Sequence, residues 1–472
     1  MTSAEPTSDV RPSSVWAPAL TGGVLAAVVL WTTWFVTHLP LLRMPEAAAV
    51  VSVLIAWASA LAFIGAWFGR DGGWKGGLLA GVISAIAGLP PLATRLTEQT
   101  PAAHEAMEGA SVRPNAAVIV LGFLAAGAVL GAVFGAIGSR IRRGPAAPDW
   151  LARYAVVCVI AVLPLLAVGG LVTSTNAGMA VPDWPNTYGT NMFLYPLGPR
   201  MQTGGVEDPH KVYLEHSHRL FGTLVGMATL VLVIWAVRSR IGGGLKALAV
   251  SVFALVVLQG VLGGTRVLRG SSDVTKDERW WAVMHGVLGQ LVFALLVALS
   301  AKLWLRNTGG GPEITSPLAR RCRFFATAAM HATVLQLVFG AMYRHLRSPH
   351  VLWSHVGFSL IVALAGVMAG ATAVALARDP AGIAHPAGRA VRRLGAWTAG
   401  LVALQFALGW VTFLSGGVAH EPENAWQAIV RTAHQTNGAF FLAVAVSLFV
   451  IIRRVAPKAR GHVLPAGAPQ AA

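Results

Sequence analysis

The chain has 472 residues, of which 55% are hydrophobic and only 12% are charged, and its mean hydropathy is +0.63. Soluble domains carry about 25% charged residues, so this composition excludes a soluble globular protein. The formal net charge of +17 could indicate a nucleic-acid-binding protein, but the distribution of the charges along the chain argues against that class.

Apolar segments long enough to cross a bilayer recur along the whole chain. The hydrocarbon core offers no partners for backbone polar groups, so such segments must be helices. The sequence therefore predicts an all-α, polytopic membrane protein with about twelve transmembrane helices. In chain order the predicted spans lie near 16–38, 47–69, 74–94, 116–138, 151–174, 213–237, 246–266, 281–304, 323–342, 351–377, 395–414 and 432–452.

The basic residues are concentrated on one side of these spans. If the N-terminus is placed inside, the inner segments hold 23 of the 36 Lys and Arg residues but only 6 of the 19 Asp and Glu residues. Positively charged loops stay on the cytoplasmic side of a membrane. The sequence therefore predicts an integral protein of the cell (inner) membrane, surrounded by lipid, with both termini cytoplasmic and no nucleic-acid partner.

A basic linker at Arg140–Asp149 divides the chain. Residues 1–145 form a predicted N-terminal four-helix transmembrane module of unknown role, because no motif in them indicates chemistry. The eight later spans form two predicted four-helix bundles, residues 151–305 and residues 320–455.

The last eight spans contain a weak internal repeat. Three of its units pair a Leu-Gln step with a histidine beyond the next loop: Leu258-Gln259 with His285, Leu335-Gln336 with His355, and Leu404-Gln405 with His434. The first unit is more diverged and pairs Gly169-Gly170 with His218. In each unit the histidine is expected to begin the helix that returns from the outer face, so all four should lie at a similar depth.

Four imidazoles at equivalent depths call for an explanation, because ionisable groups inside a bilayer are costly and usually functional. Imidazole is a common axial ligand of haem iron, and two facing helices can supply one ligand above the iron and one below it. A single interfacial histidine is more often a packing or hydrogen-bonding residue. Four of them in a repeat favour paired haem ligation.

The two predicted bundles differ beside one histidine of each. Glu215 lies one turn before His218, whereas Arg431 occupies the equivalent place before His434. A carboxylate at a haem edge can take up or release protons, and an arginine is suited to a haem propionate. We therefore expect the acidic half to hold the molecule that undergoes chemistry and the basic half to hold a permanent cofactor. Further candidate propionate contacts are Arg219, Arg266 and Arg344, for which solvated loop charge is the alternative.

The long outer loop Thr173–Lys211 precedes the acidic site and is rich in Trp, Tyr, Pro and Gly. This composition predicts an ordered lid at the membrane interface. A simple belt of interfacial aromatic residues is the alternative.

Several of these features, taken in order, resemble the haem A synthase family over residues 151–455. They are the segment Gly169–Pro185 with its Asp-Trp-Pro, the helix start Glu215-x-x-His218-Arg219, the helix end at 258–264, and the histidines His285, His355 and His434. The four N-terminal helices are additional to the family pattern.

The resemblance implies oxidation of a ring methyl of haem O to the formyl group of haem A, for terminal oxidases of the cytochrome c oxidase type. Carried over by position, it implies that His218 and His285 face the substrate haem with Glu215 assisting. It also implies that His355 and His434 ligate haem b as the cofactor. The implied partners are haem O, haem O synthase and terminal oxidase assembly factors, while the residues do not identify the electron acceptor.

Two other functions remain open on the sequence. The histidines alone fit equally well a non-catalytic dihaem cytochrome b that passes electrons between a quinone and an outer partner. A haem transporter or chaperone is the second alternative. Glu215 and the aromatic lid favour the enzyme, an oxidoreductase that acts on a CH group.

Overall fold

The computed structural model describes residues 15–98, 111–141, 149–197, 208–269, 276–307, 311–416 and 424–457. Eleven helices in these ranges are long and apolar enough to cross a membrane, and there are up to twelve if the bent pair Gly72–Ala87 and Leu89–Leu96 is counted as one span. The predicted all-α, polytopic membrane fold is confirmed.

The helices, in chain order, are α1 (Trp16–Thr37), α2 (Glu46–Ala87), α3 (Leu89–Leu96), α4 (Ala116–Ile141), α5 (Trp150–Ser174), α6 (Pro209–Arg238), α7 (Gly243–Arg269), α8 (Lys276–Asn307), α9 (Pro317–Leu346), α10 (Pro349–Arg378), α11 (Pro380–Ala384), α12 (Gly388–Leu414) and α13 (Ala425–Val455). A 3₁₀ turn, Pro40–Leu42, follows α1. The strands β1 (Thr97–Glu98) and β2 (Ser111–Val112) form one short antiparallel pair between α3 and α4.

Helix α2 contains both the second and part of the third predicted span. The two parts are separated at Gly73, whose φ of 53° and ψ of −150° are not helical. Glycine adopts a positive φ without steric cost, so the chain can change direction here within one residue. The third span then continues into α3 after a bend of 48°.

Glycines line the contact between α2 and α4. Gly77 and Gly81 of α2 face Gly127, Gly131 and Gly135 of α4 so closely that a Cβ on any of them would collide with backbone of the other helix. Small residues let membrane helices approach closely and pack by van der Waals contact. This seam packs α2 against α4.

We expect Gly127→Leu to destabilise this seam, because a Cβ at residue 127 would lie 2.7 Å from the carbonyl oxygen of Gly81. Overpacking of this kind costs about 1–3 kcal/mol, measurable as a lower midpoint of thermal unfolding in detergent. Gly122→Leu in the same helix is the matched control, since nothing lies within 4 Å of a Cβ there. Equal midpoints for the two variants would contradict the role of the seam.

The last eight long helices form two four-helix bundles. In the first bundle α5, α6, α7 and α8 pack in a closed ring, and in the second α9, α10, α12 and α13 do the same. The bundles meet where α13 packs against α5 and α8 and where α9 packs against α8. The four helices of each bundle therefore follow the same order around the ring.

The N-terminal helix α1 packs against the first bundle. The ring of Trp31 meets that of Phe221 at 5.7 Å, and the rings of Phe35 and Tyr213 stack at the same distance. The Tyr213 hydroxyl also donates a hydrogen bond of 2.8 Å to the carbonyl oxygen of Phe35. Helix α1 thus shares a core with α6, while the division of the chain at the basic linker stays a prediction.

The four histidines lie further inside their helices than the hydropathy pattern predicts. Side chains of Asp208 and Asn424 cap α6 and α13 by accepting backbone N–H groups at 2.9 and 3.1 Å, which starts these helices before the apolar residues begin. The expectation that a histidine begins each returning helix is wrong. The distance from the first helical residue is nine residues for His218, His285 and His434 and six for His355.

Candidate functional site

Each of the four histidines lies against a glycine of the neighbouring helix. A Cβ added to that glycine would fall 3.0 to 3.2 Å from the imidazole Cε1, tighter than ordinary van der Waals contact. The pairs are Gly169 with His218, Gly263 with His285, Gly340 with His355 and Gly409 with His434. The repeat glycines therefore leave room for imidazole rings, and any larger residue there would displace the ring.

A glutamine one turn before the glycine holds the histidine in three of the four units. Gln259 Nε2 donates to the carbonyl oxygen of His285 at 2.7 Å and lies 3.0 Å from its Nδ1. Each of the other two pairs makes one of these two contacts: Gln336 Nε2 donates to the His355 carbonyl oxygen at 2.9 Å, and Gln405 Nε2 lies 3.2 Å from His434 Nδ1. Gln259 and Gln405 thus contact the imidazole of their histidine, whereas Gln336 contacts the backbone of its histidine.

The diverged first unit lacks this glutamine. Leu165 stands four residues before Gly169, where the other units have Gln259, Gln336 and Gln405. The Leu-Gln steps of the repeat contain these three glutamines, but the sequence does not show which residues they contact. His218 is thus held differently from the other three histidines.

The two histidines of the second bundle are brought together. The ring centroids of His355 and His434 are 6.3 Å apart, and the rings are inclined by 81°. A metal held by two imidazole nitrogens lies about 2 Å from each, which places the ring centroids roughly 6 Å apart. The spacing of this pair therefore fits an iron between the rings.

A cavity of about 340 Å³ surrounds this pair. Its walls include both histidines, the glycines that make room for their rings (Gly340 and Gly409) and many apolar side chains. Arg344 and Arg431 are among its polar residues. Ligand pockets commonly measure about 300–1,000 Å³ and are mostly apolar with a few placed polar groups. The histidine pair, the two glycines beside it and the two arginines together fit a haem.

In the first bundle the imidazoles of His218 and His285 interact electrostatically. Arg266 is within the same reach of both imidazoles. Trp184 of the outer loop lies over the end of α7, where a Cβ on Gly264 would collide with its indole ring. The first pair therefore lies close to the outer loop.

Residues 175–197 of the outer loop, here called the lid, form an ordered structure. The Asp183 carboxylate accepts backbone N–H groups of Tyr188 and Gly189, both at 2.8 Å, and the Tyr188 hydroxyl donates to the Ala180 carbonyl oxygen at 2.6 Å. Tyr195 is fully buried, with its ring 5.2 Å from that of His216. An aromatic belt at the interface would not need these internal bonds.

A buried ion pair attaches the lid to α6. Arg219 Nη2 lies 2.7 Å from Glu215 Oε1, and Glu215 Oε2 accepts the backbone N–H of Val181 at 2.8 Å. The Arg219 guanidinium also donates to the carbonyl oxygens of Val181, Asp183 and Asn186 at 2.6 to 3.0 Å. Four of its five N–H groups are thereby used. In this structure the Arg219 guanidinium binds the lid, and its Nη groups are not available to bind a propionate.

The other candidate propionate contacts lie around the mouth of the sites. Arg344 donates to the Thr173 carbonyl oxygen and to Asn176 Oδ1, the latter at 2.9 Å, and so links the second bundle to the lid. Arg431 donates to the Gly416 carbonyl oxygen at 2.9 Å. Arg266 approaches Gly178, where a Cβ would lie 3.5 Å from its Nη1. Arg344 and Arg431 line the cavity of the second bundle.

One histidine in this region was not predicted. His345 lines the same cavity and lies 3.9 Å from a Cβ added to Gly286, next to His285 of the first bundle. It lies outside the repeat, at the end of α9, where a sequence pattern indicates only a loop residue. Its position between the two histidine pairs depends on how the bundles pack.

Comparisons with known proteins find sequence similarity in the C-terminal part of the chain. Residues 152–361 match the model of a family described as cytochrome oxidase assembly protein. The chain is 30% identical to the haem A synthases of Rhodopseudomonas palustris strains BisB18 and HaA2, over 45% of its own length and 61% and 60% of theirs. It is 26% identical to the haem A synthase of Anaplasma marginale (strain Florida), over 63% of its own length and 93% of that protein.

The match to the two Rhodopseudomonas proteins spans about three-fifths of their length. It falls on the bundles rather than on the N-terminal helices, since the family model begins at residue 152 in α5. The C-terminal part of this membrane protein is thus similar in sequence to the haem A synthases.

Proposed function

We propose that this protein is a haem A synthase-like oxidoreductase, which converts a ring methyl of its substrate haem O to the formyl group of haem A for terminal oxidases of the cytochrome c oxidase type. The observation that carries the proposal is the set of four histidine–glycine cradles, two in each bundle, in a chain related to haem A synthases. Haem O synthase and oxidase assembly factors are the partners that this function requires.

The two bundles are proposed to have different roles. His355 and His434 hold haem b permanently, supported by their 6.3 Å spacing, their glutamine contacts and the cavity cations Arg344 and Arg431. His218 and His285 receive the substrate. A leucine in place of the glutamine beside His218 suits a ligand that must exchange.

Haem b, when bound in the second bundle, supplies one-electron transfer. The chain's own residues do the remaining work around the substrate. The lid excludes water from the first site, and Glu215 is the group placed to take up protons there. Both sites are proposed to lie near the outer face, with the chain termini in the cytoplasm.

An electron-transferring dihaem cytochrome b is the second candidate, favoured by the histidine pairs alone. The carrier function does not explain why the Glu215 carboxylate is buried (4% exposed) and hydrogen-bonded to an ordered lid. Glu215 and the lid therefore favour the enzyme over the carrier.

The test is expression of the full chain in a host that makes haem O but no haem A, followed by extraction and chromatography of the haems. We expect haem A to appear in the membranes, and haem b to copurify with the chain. Haem b alone, with no haem A formed, would favour the carrier. A colourless preparation without a Soret band would overturn both candidates, and the same host without the chain is the control.

A further inference from the structure

A second cavity lies at the other end of the bundles, away from the four histidines. It measures about 580 Å³ and lies where α8 and α13 end, between the first and the second bundle. The residues around it are Leu245, Lys302, Leu305, Arg306, Gly311, His385, Val450, Arg453 and Arg454. Nothing in the proposed haem chemistry uses this cavity.

The polar residues of this cavity are basic. Arg306 is paired with Asp149 at 3.1 Å, whereas the described residues form no ion pair to Lys302, Arg453 or Arg454. Arg453 lies with its guanidinium carbon 5.1 Å from the ring centroid of Phe449, which holds its charge at the end of α13. The cavity therefore carries positive charge that is not neutralised within the described part of the protein.

His385 adds a neutral hydrogen-bond donor to these charges. Its Nδ1 accepts the backbone N–H of Ala387 at 3.0 Å, which leaves the hydrogen on Nε2 beside Gly311. Burial and the positive charge of Arg454 lower the pKa of His385, which favours the uncharged ring. An anion in the cavity would meet this N–H as well as the cations.

The remaining walls are apolar and come from both bundles. Leu245 and Leu305 belong to the first bundle, and Val450 lies one turn before the arginines of α13 in the second. Cations above an apolar wall, at the point where membrane helices end, match a phospholipid with its phosphate outward and its acyl chains inward. A free inorganic anion would gain nothing from contact with the apolar wall.

We propose that this cavity binds the phosphate of an anionic phospholipid, which thereby joins the two bundles at the face opposite the histidine pairs. Lys302, Arg453 and Arg454 contact the phosphate oxygens, and Leu245, Leu305 and Val450 contact the acyl chains. The proposed ligand is a phospholipid. Free inorganic phosphate is the alternative ligand that carries the same anionic group.

The test uses the full chain, purified in detergent and delipidated, with phosphatidylglycerol or phosphatidylcholine added and binding followed by native mass spectrometry. We expect phosphatidylglycerol to be retained in preference to phosphatidylcholine. The double variant Arg453→Gln/Arg454→Gln should bind it roughly thirtyfold more weakly, because each basic residue contributes about one kcal/mol. Lys302→Gln should weaken binding roughly fivefold.

The matched control is Arg392→Gln/Arg393→Gln in α12, which removes two exposed cations that do not line the cavity. This control should bind phosphatidylglycerol like the unmodified chain, and all variants should keep the same Soret band. Equal binding of the two lipids, or equal loss in the control, would overturn the proposal. So would displacement of phosphatidylglycerol by an equal concentration of inorganic phosphate, which would assign the cavity to a free anion.

Discussion

His434→Ala is expected to remove the bis-imidazole haem spectrum of the second bundle. The His434 ring is one of two imidazoles 6.3 Å apart, and alanine would leave only His355 to hold the iron. We expect the low-spin haem b signal to fall to background and haem A formation to stop with it. Absorption spectra of the purified variant, together with haem extraction, measure both effects.

The control for this variant is His331→Ala. His331 is an exposed histidine of α9 in the same bundle, whose Nδ1 lies 2.8 Å from the Thr327 carbonyl oxygen and which does not line the cavity. It should keep the full spectrum. Retention of low-spin haem b in His434→Ala would remove His434 from the proposed ligand set, whatever the activity.

Glu215→Gln is expected to lower the rate of haem A formation by roughly a hundredfold or more, the usual contribution of a positioned acid or base. The amide cannot carry a proton between substrate and solvent. The haem b content of the second bundle should not change, because Glu215 contacts the lid and Arg219 of the first bundle. Single-turnover formation of haem A, normalised to haem b, is the measurement.

The ion pair with Arg219 requires a second variant, since Glu215→Gln also weakens the attachment of the lid. Arg219→Gln breaks the same pair but keeps the carboxylate, so it reports the contribution of the lid alone. Limited proteolysis within residues 175–197 measures how far each variant loosens the lid. If both variants lose the same activity and open the lid equally, Glu215 anchors the lid and moves no proton.

Both predictions follow from a difference between the bundles that the repeat conceals. The second bundle holds its histidines by glutamines and offers cavity cations at Arg344 and Arg431. The first bundle replaces one glutamine with Leu165 and fastens a lid through a buried ion pair. These differences support the proposal that one half holds a permanent group and the other an exchangeable one.

The sequence by itself determined the number and order of the spans and the places of the four histidines in the repeat. These features are local, because the length of an apolar run sets whether a helix can cross a bilayer. The helix ends were less certain, since caps such as Asp208 and Asn424 extend helices beyond the apolar residues. The hydropathy pattern of a sequence does not reveal such caps.

Only the tertiary structure decided what each polar side chain contacts. Arg219 and Arg344 have the same chemistry in the sequence, but Arg219 holds the lid together with Glu215, whereas Arg344 lines the histidine cavity of the second bundle. The gathering of Lys302, Arg453 and Arg454 in one basic cavity likewise depends on how the bundles meet. The partner of a charged group is set by packing between residues far apart in the chain, and neither composition nor periodicity carries that information.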